Sequence, residues 1–364
     1  MRRRSLLGAL GALAAALGAP ALGAVRKVEF PEVLAGHRLA FPRDEGAHPA
    51  FRIEWWYLTG WLGPETHGFQ ITFFRARNEY ATDNPSRFTP RQILFAHAAL
   101  ADPRVGHLLH DQRAAREGFG LAGAARDGVR VWIDDWRLEQ GEDGYQAVIA
   151  ARNFALKLAF RSERPPLLQG DDGVSRKGPL PREASYYYSR PQLEVTGSIE
   201  QGRATTSVRG RAWFDHEWSS DYLAPEAEGW DWAGINLDDG GALMAFVMRA
   251  KKGGVVYAGG TWLRADGSRR TLGPDAVRFV PLRTWRSPRT GVEYPVAMRI
   301  EIEEASWQLE PLMDDQELDS RLSTGTIYWE GAVRVSRDGR AVGRGYLELT
   351  GYWRPMTLGS DPGG

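Results

Sequence analysis

The sequence predicts an all-β protein made of two similar halves, and three observations predict it. Strand-like runs separated by short turns recur along most of the chain. Dipeptides that favour tight hairpin turns stand between these runs, at 127–128, 143–144, 266–267 and 338–339. Several patterns of the first half return in the same order in the second half. Many short strands with such turn signals are typical of β-barrels and β-sandwiches.

The predicted strands follow from runs of apolar, aromatic and β-branched residues, with visible alternation at 129–133 and 333–335. In chain order they are 54–62, 68–76, 93–100, 129–139, 145–160, 193–199, 205–214, 232–237, 242–250, 255–263, 296–302, 326–335 and 345–352. One helical segment is predicted around 314–322. The stretch 161–188 is rich in proline and glycine, so we expect a long loop there that serves as a lid or a binding loop.

An internal duplication is predicted from four pairs of matching segments that occur in the same order. The pairs are 54–58 with 229–233, 69–75 with 243–249, 197–199 with 331–333, and 210–218 with 345–353. The copies would cover roughly 51–220 and 229–354. This predicts two tandem β-barrel domains at 51–222 and 223–355, after an N-terminal segment at 24–50 and before a tail at 356–364.

Composition limits the possible functions. The chain has 364 residues and equal numbers of acidic and basic side chains, 46 of each, so no overall charge attracts it to nucleic acid. It has no cysteine, which excludes disulfides, thiolate metal sites and a cysteine nucleophile. The 14 tryptophans and 42 glycines fit aromatic-rich strands joined by tight turns, with a ligand cavity lined by rings.

The first residues predict an export signal at 1–23. A basic start, Met1-Arg2-Arg3-Arg4, precedes an apolar run at 6–17 and small residues at 21–23. Residues 3–7 match a twin-arginine signal, and an ordinary Sec signal is the alternative. No later stretch is apolar enough to span a membrane. We therefore expect a periplasmic protein without a transmembrane segment in the mature chain.

The first catalytic candidates are Asp215, His216 and Glu217, three adjacent titratable residues between aromatic ones. On a strand, Asp215 and Glu217 share one face with Trp213, and His216 takes the opposite face. In the predicted alignment this cluster falls on 350–352, so it belongs to the first half only. A structural hydrogen-bond network is the alternative to a catalytic role.

Asp231 is the second catalytic candidate, because Trp230 and Trp232 flank it. A carboxyl group desolvated by aromatic rings keeps its proton to higher pH, as a general acid requires. An exposed aspartate in a turn is the alternative.

Further aromatic and polar residues are predicted to bind a ligand. They are Trp55, Trp56, Tyr57, His97, Tyr187, Glu217, Trp218, Trp230 and Trp232. Plain core packing is the alternative for each ring, and a lone histidine such as His97 is usually a hydrogen-bonded core residue. His107, His110 and Asp111 have a spacing that binds metal on a helix, but the segment is predicted to be a loop. We predict no metal, and no nucleotide or dinucleotide motif indicates a cofactor.

Five segments together resemble one protein family. They are 54–60, 95–98, 186–189, 213–219 and 328–333. The chain is similar to the lipocalin-like AttH family, which includes carotenoid 1,2-hydratases (hydroxyneurosporene synthases). The resemblance implies two lipocalin-like β-barrels and, for some relatives, addition of water to an isoprenoid double bond without a cofactor. The hydratases' His-x-Trp pattern falls on His216 and Trp218, and Asp231 is the nearest candidate for their further acidic residue.

Two functions follow from this resemblance and from the residues. The first is a hydratase in which Asp231 or Asp215 protonates an alkene, with His216 orienting the acid or the water. A lipid-ester hydrolase is a lower-ranked variant, because no activated serine is visible. The second is a non-catalytic periplasmic protein that binds a lipid or lipoprotein and works with an ABC transporter permease. Convergence of Asp215, His216 and Asp231 in one cavity would favour the enzyme.

Overall fold

The computed structural model describes residues 28–63, 66–78, 86, 88–162 and 164–357. The predicted export signal lies outside the described residues. The described part consists of β-strands and two 3-10 helices, Arg43–Glu45 and Pro274–Ala276, so the all-β prediction is confirmed. The predicted helical segment around 314–322 is wrong, because this stretch contains the strand Glu317–Asp319, which pairs with a longer neighbour. Among the described residues, no helix is long and apolar enough to cross a membrane.

The first sheet is built from the strands between residues 53 and 219. They are β1 (Ile53–Leu62), β2 (His67–Arg77), β3 (Gln92–Ala101), β4 (Leu109–Arg116), β5 (Ala122–Ala124), β6 (Arg130–Ile133), β7 (Trp136–Gly141), β8 (Gly144–Ala150), β9 (Ala155–Arg161), β10 (Leu167–Leu168), β11 (Val174–Arg176), β12 (Ala184–Gln201) and β13 (Ala204–Ser219). Their order is β4-β3-β2-β1-β13-β12-β9-β8-β7-β6-β5, with β10 and β11 also paired to β12. The predicted loop at 161–188 thus contains two short strands and the start of β12.

The second sheet follows after a connecting segment at 220–226. Its strands are β14 (Ala227–Leu237), β15 (Ala242–Ala250), β16 (Val255–Leu263), β17 (Arg269–Leu272), β18 (Arg278–Arg286), β19 (Glu293–Ile302), β20 (Ala305–Pro311), β21 (Glu317–Asp319), β22 (Ile327–Arg337) and β23 (Arg340–Leu349). Their order is β17-β16-β15-β14-β23-β22-β20-β19-β18, with β21 also paired to β22.

The two sheets share one strand order around their centres. In each sheet the first strand pairs with the last strand on one side and with the second strand on the other. Trp56 lies opposite Phe73 of β2, and Asp231 lies opposite Val247 of β15, as the predicted alignment of these segments requires. The common order supports the duplication, which itself stays a prediction.

The alignment predicted for the last strand is shifted by two residues. Trp56 lies opposite His216, whereas its counterpart Asp231 lies opposite Leu349. By strand pairing, His216 therefore corresponds to Leu349, and Asp215 corresponds to Glu348. The predicted match rested on Trp218 and Trp353, but β23 ends at Leu349, before Trp353.

Side-chain alternation divides the apolar residues into two interior cores and one cluster between the sheets. Trp56, Phe214 and Trp218 point into the core that the first sheet encloses, and a second core lies inside the other sheet. We call these two curved sheets the first barrel and the second barrel. The cluster between the sheets contains residues from β1, β12, β13, β14, β15, β22 and β23. Gly234 matters there, because an added Cβ would lie 2.5 Å from the Trp232 ring and 3.1 Å from the Trp213 ring.

Candidate functional site

Four carboxyl groups lie in the cluster between the sheets, and we call them the interface acids. Asp215 and Glu217 come from β13, Glu330 comes from β22, and Glu348 comes from β23. The first three are buried, and Glu348 is half-buried. In the part of the chain that the structure describes, Glu217 forms an ion pair with Lys177, and the other three acids form none. Unpaired buried carboxyl groups are rare in proteins, so this arrangement marks a candidate site.

Asp215 is the best-defined interface acid, because three side chains hold its carboxyl group. Tyr187 Oη donates to Oδ2 at 2.7 Å, and the indole N–H of Trp213 donates to Oδ1 at 2.7 Å. Ser189 also donates to Oδ1. Burial raises the pKa of Asp215 to about 7, although these hydrogen bonds act in the opposite direction. The group therefore exchanges a proton near neutral pH.

Glu330 and Glu348 lie directly opposite each other on adjacent strands. Tyr57 of the first sheet donates a hydrogen bond to Glu330 across the interface. Burial, together with the neighbouring negative charges, raises the pKa of both glutamates above its usual range. Two carboxyl groups so close cannot both ionise without a large cost, so the pair retains a proton at neutral pH.

Lys177 supplies a positive charge at the other end of the site. Its ammonium group lies 2.9 Å from Glu217 Oε1 and donates to Ser175 Oγ at 3.0 Å. Phe246 of the second sheet lies 4.2 Å from this ammonium group, and Tyr187 lies 4.8 Å from it, measured to the ring centres. Burial lowers the pKa of Lys177 and raises the pKa of Glu217. The segment between β11 and β12 thus places a buried cation against both sheets.

Six of the residues predicted to bind ligand face this interface. Trp232 packs edge-on against Tyr57 at 5.3 Å between ring centres, and its indole N–H donates to Tyr187 Oη at 3.1 Å. Trp55 and Trp230 both contact Tyr222 edge-on. Glu217 is the sixth. The rings therefore surround the interface acids on both sides.

An open cleft reaches the interface from the side of Trp213. Its volume is about 330 Å³, and buried rings of Trp61, Trp213 and Tyr346 form part of its wall. Because Trp213 donates directly to Asp215, the cleft ends one side chain away from that acid. The cleft lies between the sheets, not inside a barrel as a lipocalin-type cavity would.

His216 lies elsewhere, inside the first barrel. Its Nε2 donates to Glu54 Oε1 at 2.9 Å, and Arg75 Nε donates to Glu54 Oε2 at 2.9 Å. The His48 ring donates to the same carboxylate from Nδ1 at 2.8 Å. Burial opposes ionisation of Glu54, but the Arg75 charge and the two histidines hold its pKa well below the usual range. Burial lowers the pKa of His216.

Two indoles enclose this histidine network. Trp56 stacks on His216 at 4.9 Å between ring centres, and Trp218 stacks on His48 at 3.7 Å. The predicted ligand-binding residues Trp56 and Trp218 thus pack against buried imidazoles. These contacts hold the histidine network in place, as expected of residues that stabilise the fold.

Donor atoms of His48, Glu54 and His216 lie within 4.8 Å of one another, a spacing that also suits a metal ion. Both oxygens of Glu54 already accept hydrogen bonds, and the adjacent Arg75 cation would repel a second cation. The donor set is therefore better explained as a hydrogen-bonded network. The predicted absence of a metal stays a prediction.

Asp231 lies inside the second barrel. Arg249 Nε donates to its Oδ1 at 2.9 Å, and Tyr352 Oη donates to the same oxygen at 3.1 Å. Burial raises the pKa of Asp231 to about 6, against the effect of Arg249. Asp215, His216 and Asp231 thus occupy three different places and do not converge in one cavity.

His97 joins the two sheets through Tyr328 and Ser323 of the second half. Its Nδ1 accepts from Tyr328 Oη at 2.8 Å, and its Nε2 donates to Ser323 Oγ at 2.9 Å, the arrangement that satisfies the network. Burial lowers the pKa of His97 to about 3, so the ring is neutral. Its contacts are those of a structural bridge.

Sequence reasoning missed Glu330, Glu348 and Lys177. Glu330 stands inside the Tyr-Trp-Glu-Gly segment that carried the family resemblance, and this segment was the available signal. Glu348 is the counterpart of Asp215, but the shifted alignment concealed it. Lys177 stands alone in a stretch predicted as a loop, so nothing local marked it.

Comparisons with known proteins agree on the fold. The AttH-like family model matches residues 32–352. A crystal structure of an AttH protein from Nitrosomonas europaea is 50% identical, with a TM-score of 0.83, and the alignment covers 89% of this chain and all of that one. Kievitone hydratase from Nectria haematococca has a TM-score of 0.66 at 13% identity, with 90% and 98% of the two chains covered. CghA, solved with Sch210972, has a TM-score of 0.52 at 15% identity, with 82% and 88% covered. None of the curated protein sequences matches.

Proposed function

The chain belongs to the AttH-like family of lipocalin-like all-β proteins, and from that premise we propose that it is a cofactor-free hydratase. The reaction is addition of water to a carbon–carbon double bond of an apolar isoprenoid or lipid between the two sheets. Kievitone hydratase shares the fold, which makes this chemistry compatible with the scaffold.

The interface acids are the observation that carries the proposal. Four carboxyl groups share one region with a single ion-paired cation, Lys177, among the described residues. Four negative charges cannot be accommodated there, so protons stay bound at neutral pH. A fold gains no stability from such a cluster, whereas an acid catalyst needs a carboxylic acid that is still protonated at pH 7.

Asp215 is the proposed proton donor. Its proton passes to one alkene carbon, and the neighbouring carbon becomes a cation. The ring faces of Trp213 and Trp232 stabilise this positive charge. A water molecule then bonds to the cation through oxygen and releases one proton to the ionised carboxylate, which restores the acid. The sum is alkene plus water giving an alcohol, with no oxidant, reductant or cofactor.

His216 and Asp231 have supporting roles in this proposal. His216 is held inside the first barrel by Glu54 and the buried Arg75, and Asp231 is held inside the second barrel by the half-buried Arg249. Neither residue lines the cleft. They stabilise the strands that place Asp215 and Trp232 at the interface.

We also propose that the protein acts in the periplasm after export through the twin-arginine route, as residues 1–23 suggest. Replacing Arg3 and Arg4 by lysine should leave the precursor in the cytoplasm, as measured by cell fractionation. Unimpaired export in cells that lack the twin-arginine translocase would contradict this route.

The test of the reaction is Asp215→Asn, which keeps size and shape but removes the transferable proton. We expect a loss in turnover of about 10²-fold or more, the usual scale of general acid catalysis, with little change in ligand affinity. Product formation is followed as a mass increase of one water, and affinity by quenching of tryptophan fluorescence. Candidate substrates are found by mass spectrometry of lipids that copurify with the mature protein.

Asp231→Asn is the matched control, because it removes a second buried carboxyl group with a raised pKa outside the interface. The folded fraction of this variant should keep turnover within a few-fold of the wild type. If Asp231→Asn loses turnover and Asp215→Asn keeps it, the proton donor is misassigned. If the wild type binds ligands and hydrates none, the alternative of a periplasmic carrier that serves an ABC transporter takes the place of the hydratase.

A further inference from the structure

The cleft between the sheets combines a charged rim with an aromatic floor. Arg209 and Arg211 of β13 are exposed at its edge, and Arg344 of β23 also lines it. Trp213 and Tyr346 line it as well and are buried, with exposed fractions of 2% and 1%. We call this site the arginine cleft. Its chemistry changes from cationic at the solvent to aromatic at the end nearest Asp215.

Hydrogen bonds between the two sheets hold the arginine cleft open. The backbone N–H of Gln192 donates to Asn236 Oδ1 at 2.8 Å, and the Asn236 amide donates back to the carbonyl of Ala212 at 3.0 Å. On the opposite wall, the indole N–H of Trp61 donates to the carbonyl of Gly345 at 3.0 Å. Because these bonds join the walls directly, the cleft is preformed and a ligand need not open it.

The rim of the arginine cleft carries two exposed arginines, Arg209 and Arg211. Within the described residues, Arg209 and Arg211 form no ion pair, and Arg211 donates to the neutral Gln192 side chain at 2.9 Å. Asp238 is the one acidic side chain that lines the cleft. Guanidinium groups bind carboxylates and phosphates through paired hydrogen bonds, so the rim suits an anionic group.

We propose that the arginine cleft binds the anionic head group of an amphiphilic ligand, a carboxylate or a phosphate, whose apolar chain runs along Trp213 toward Asp215. This inference rests on the proposed function and names the substrate class of the same site. An acidic lipid or isoprenoid fits the order of groups in the cleft, because its charge meets the arginines while its chain meets the rings.

The test compares three probes that share one chain: dodecanoate, dodecyl phosphate and dodecan-1-ol. Binding to the full-length mature protein is measured by quenching of tryptophan fluorescence, since Trp61 and Trp213 line the cleft. We expect at least one anionic probe to bind about tenfold or more tightly than the alcohol, with affinity falling as salt rises. The preferred anion identifies the head group as carboxylate or phosphate.

The double variant Arg209→Gln, Arg211→Gln should lose about tenfold or more in affinity for the preferred anion and leave alcohol binding unchanged. Arg203→Gln is the matched control, an exposed arginine in the turn before β13 that does not line the cleft. Equal binding of alcohol and anions, no binding of any probe, or an equal loss in Arg203→Gln would each overturn the inference.

Head-group binding by the arginine cleft and hydration by Asp215 are measured separately, so either proposal can fail without the other. If the alcohol binds as tightly as the anions while Asp215→Asn still loses about 10²-fold in turnover, the head-group inference is wrong and the hydratase proposal stands. If the arginine variants lose the anion but the wild type hydrates nothing, the cleft binds an acidic ligand without the proposed chemistry.

Discussion

The acids inside the two barrels differ from the acids between them. Glu54 and Asp231 point into the barrels, and each accepts a hydrogen bond from an arginine on the neighbouring strand, Arg75 and Arg249. These arginines occupy equivalent positions in the predicted alignment of the two halves. The interface acid Asp215 accepts hydrogen bonds from neutral donors instead.

This difference separates structural acids from candidate catalytic ones. The Glu54 carboxylate, paired with the buried Arg75, stays charged and contributes to the stability of the folded chain. Asp231 is intermediate, because burial raises its pKa to about 6 despite the pairing with Arg249. A buried carboxyl group with neutral partners is better tolerated in its protonated form, so it weakens the fold as the pH rises. Glu54 and Asp215 should therefore respond in different ways to mutation and to pH.

The largest expected effect is in the first barrel. Arg75→Met removes the cation and leaves the Glu54 carboxylate buried, where both partners are at most 2% exposed. We expect the free energy of unfolding to fall by about 3–5 kcal/mol, because an uncompensated buried charge remains. Denaturant unfolding followed by tryptophan fluorescence measures the change.

Arg137→Met is the control, since Arg137 pairs with Glu139 on the surface of the same sheet. Breaking that exposed pair should cost about 1 kcal/mol or less. If Arg75→Met and Arg137→Met lose similar amounts of unfolding free energy, the Glu54 network does not stabilise the fold.

Much of the fold follows from local sequence patterns. Alternation and turn dipeptides depend on adjacent residues, and the structure has Asp215 and Trp213 on one face of β13 with His216 on the other. The segment 314–322 was mispredicted because its conformation depends on hydrogen bonds to β22, the next strand of the chain, and not on its own residues alone. Pairing with Trp329 and Tyr328, rather than local propensity, makes Glu317–Asp319 a strand.

The candidate site was less predictable, because two sheets form it. Sequence periodicity indicated that Asp215 and His216 point in opposite directions, but not which of them faces the other sheet. The partners Glu330 and Glu348 come from the far end of the chain. The position of Lys177 depends on Phe246, which belongs to the other sheet. No pattern within one segment records such contacts.

The pH dependence of stability tests whether the buried Asp215 carboxyl group keeps its proton in the folded protein. The pKa of Asp215 is about 7 in the folded protein and about 3.8 when unfolded, so the folded state binds a proton more tightly. Its contribution to stability is complete below about pH 4 and is lost as the pH rises to 7. The difference between wild type and Asp215→Asn should therefore change by about 1 kcal/mol per pH unit between pH 5 and 7.

Asp338→Asn is the control for this measurement, because Asp338 is an exposed residue of a hairpin turn. Its stability should follow the wild-type pH profile. If the free energy of unfolding of Asp215→Asn also changes with pH in parallel with the wild type, the Asp215 carboxyl group is ionised in the folded protein between pH 5 and 7.

The smallest expected effect concerns the neutral contacts between the sheets. Tyr328→Phe removes the hydroxyl that donates to His97 Nδ1 and leaves a buried acceptor unpaired. We expect a loss of about 1 kcal/mol in the free energy of unfolding.

Tyr346→Phe is the matched control, because the buried Tyr346 hydroxyl has no hydrogen-bond partner in the described structure. Removing that hydroxyl should be neutral or slightly stabilising, as measured by denaturant unfolding. A loss in Tyr346→Phe as large as that in Tyr328→Phe would show that the hydroxyl at the interface has a partner, and that the interface is wetter than these contacts imply.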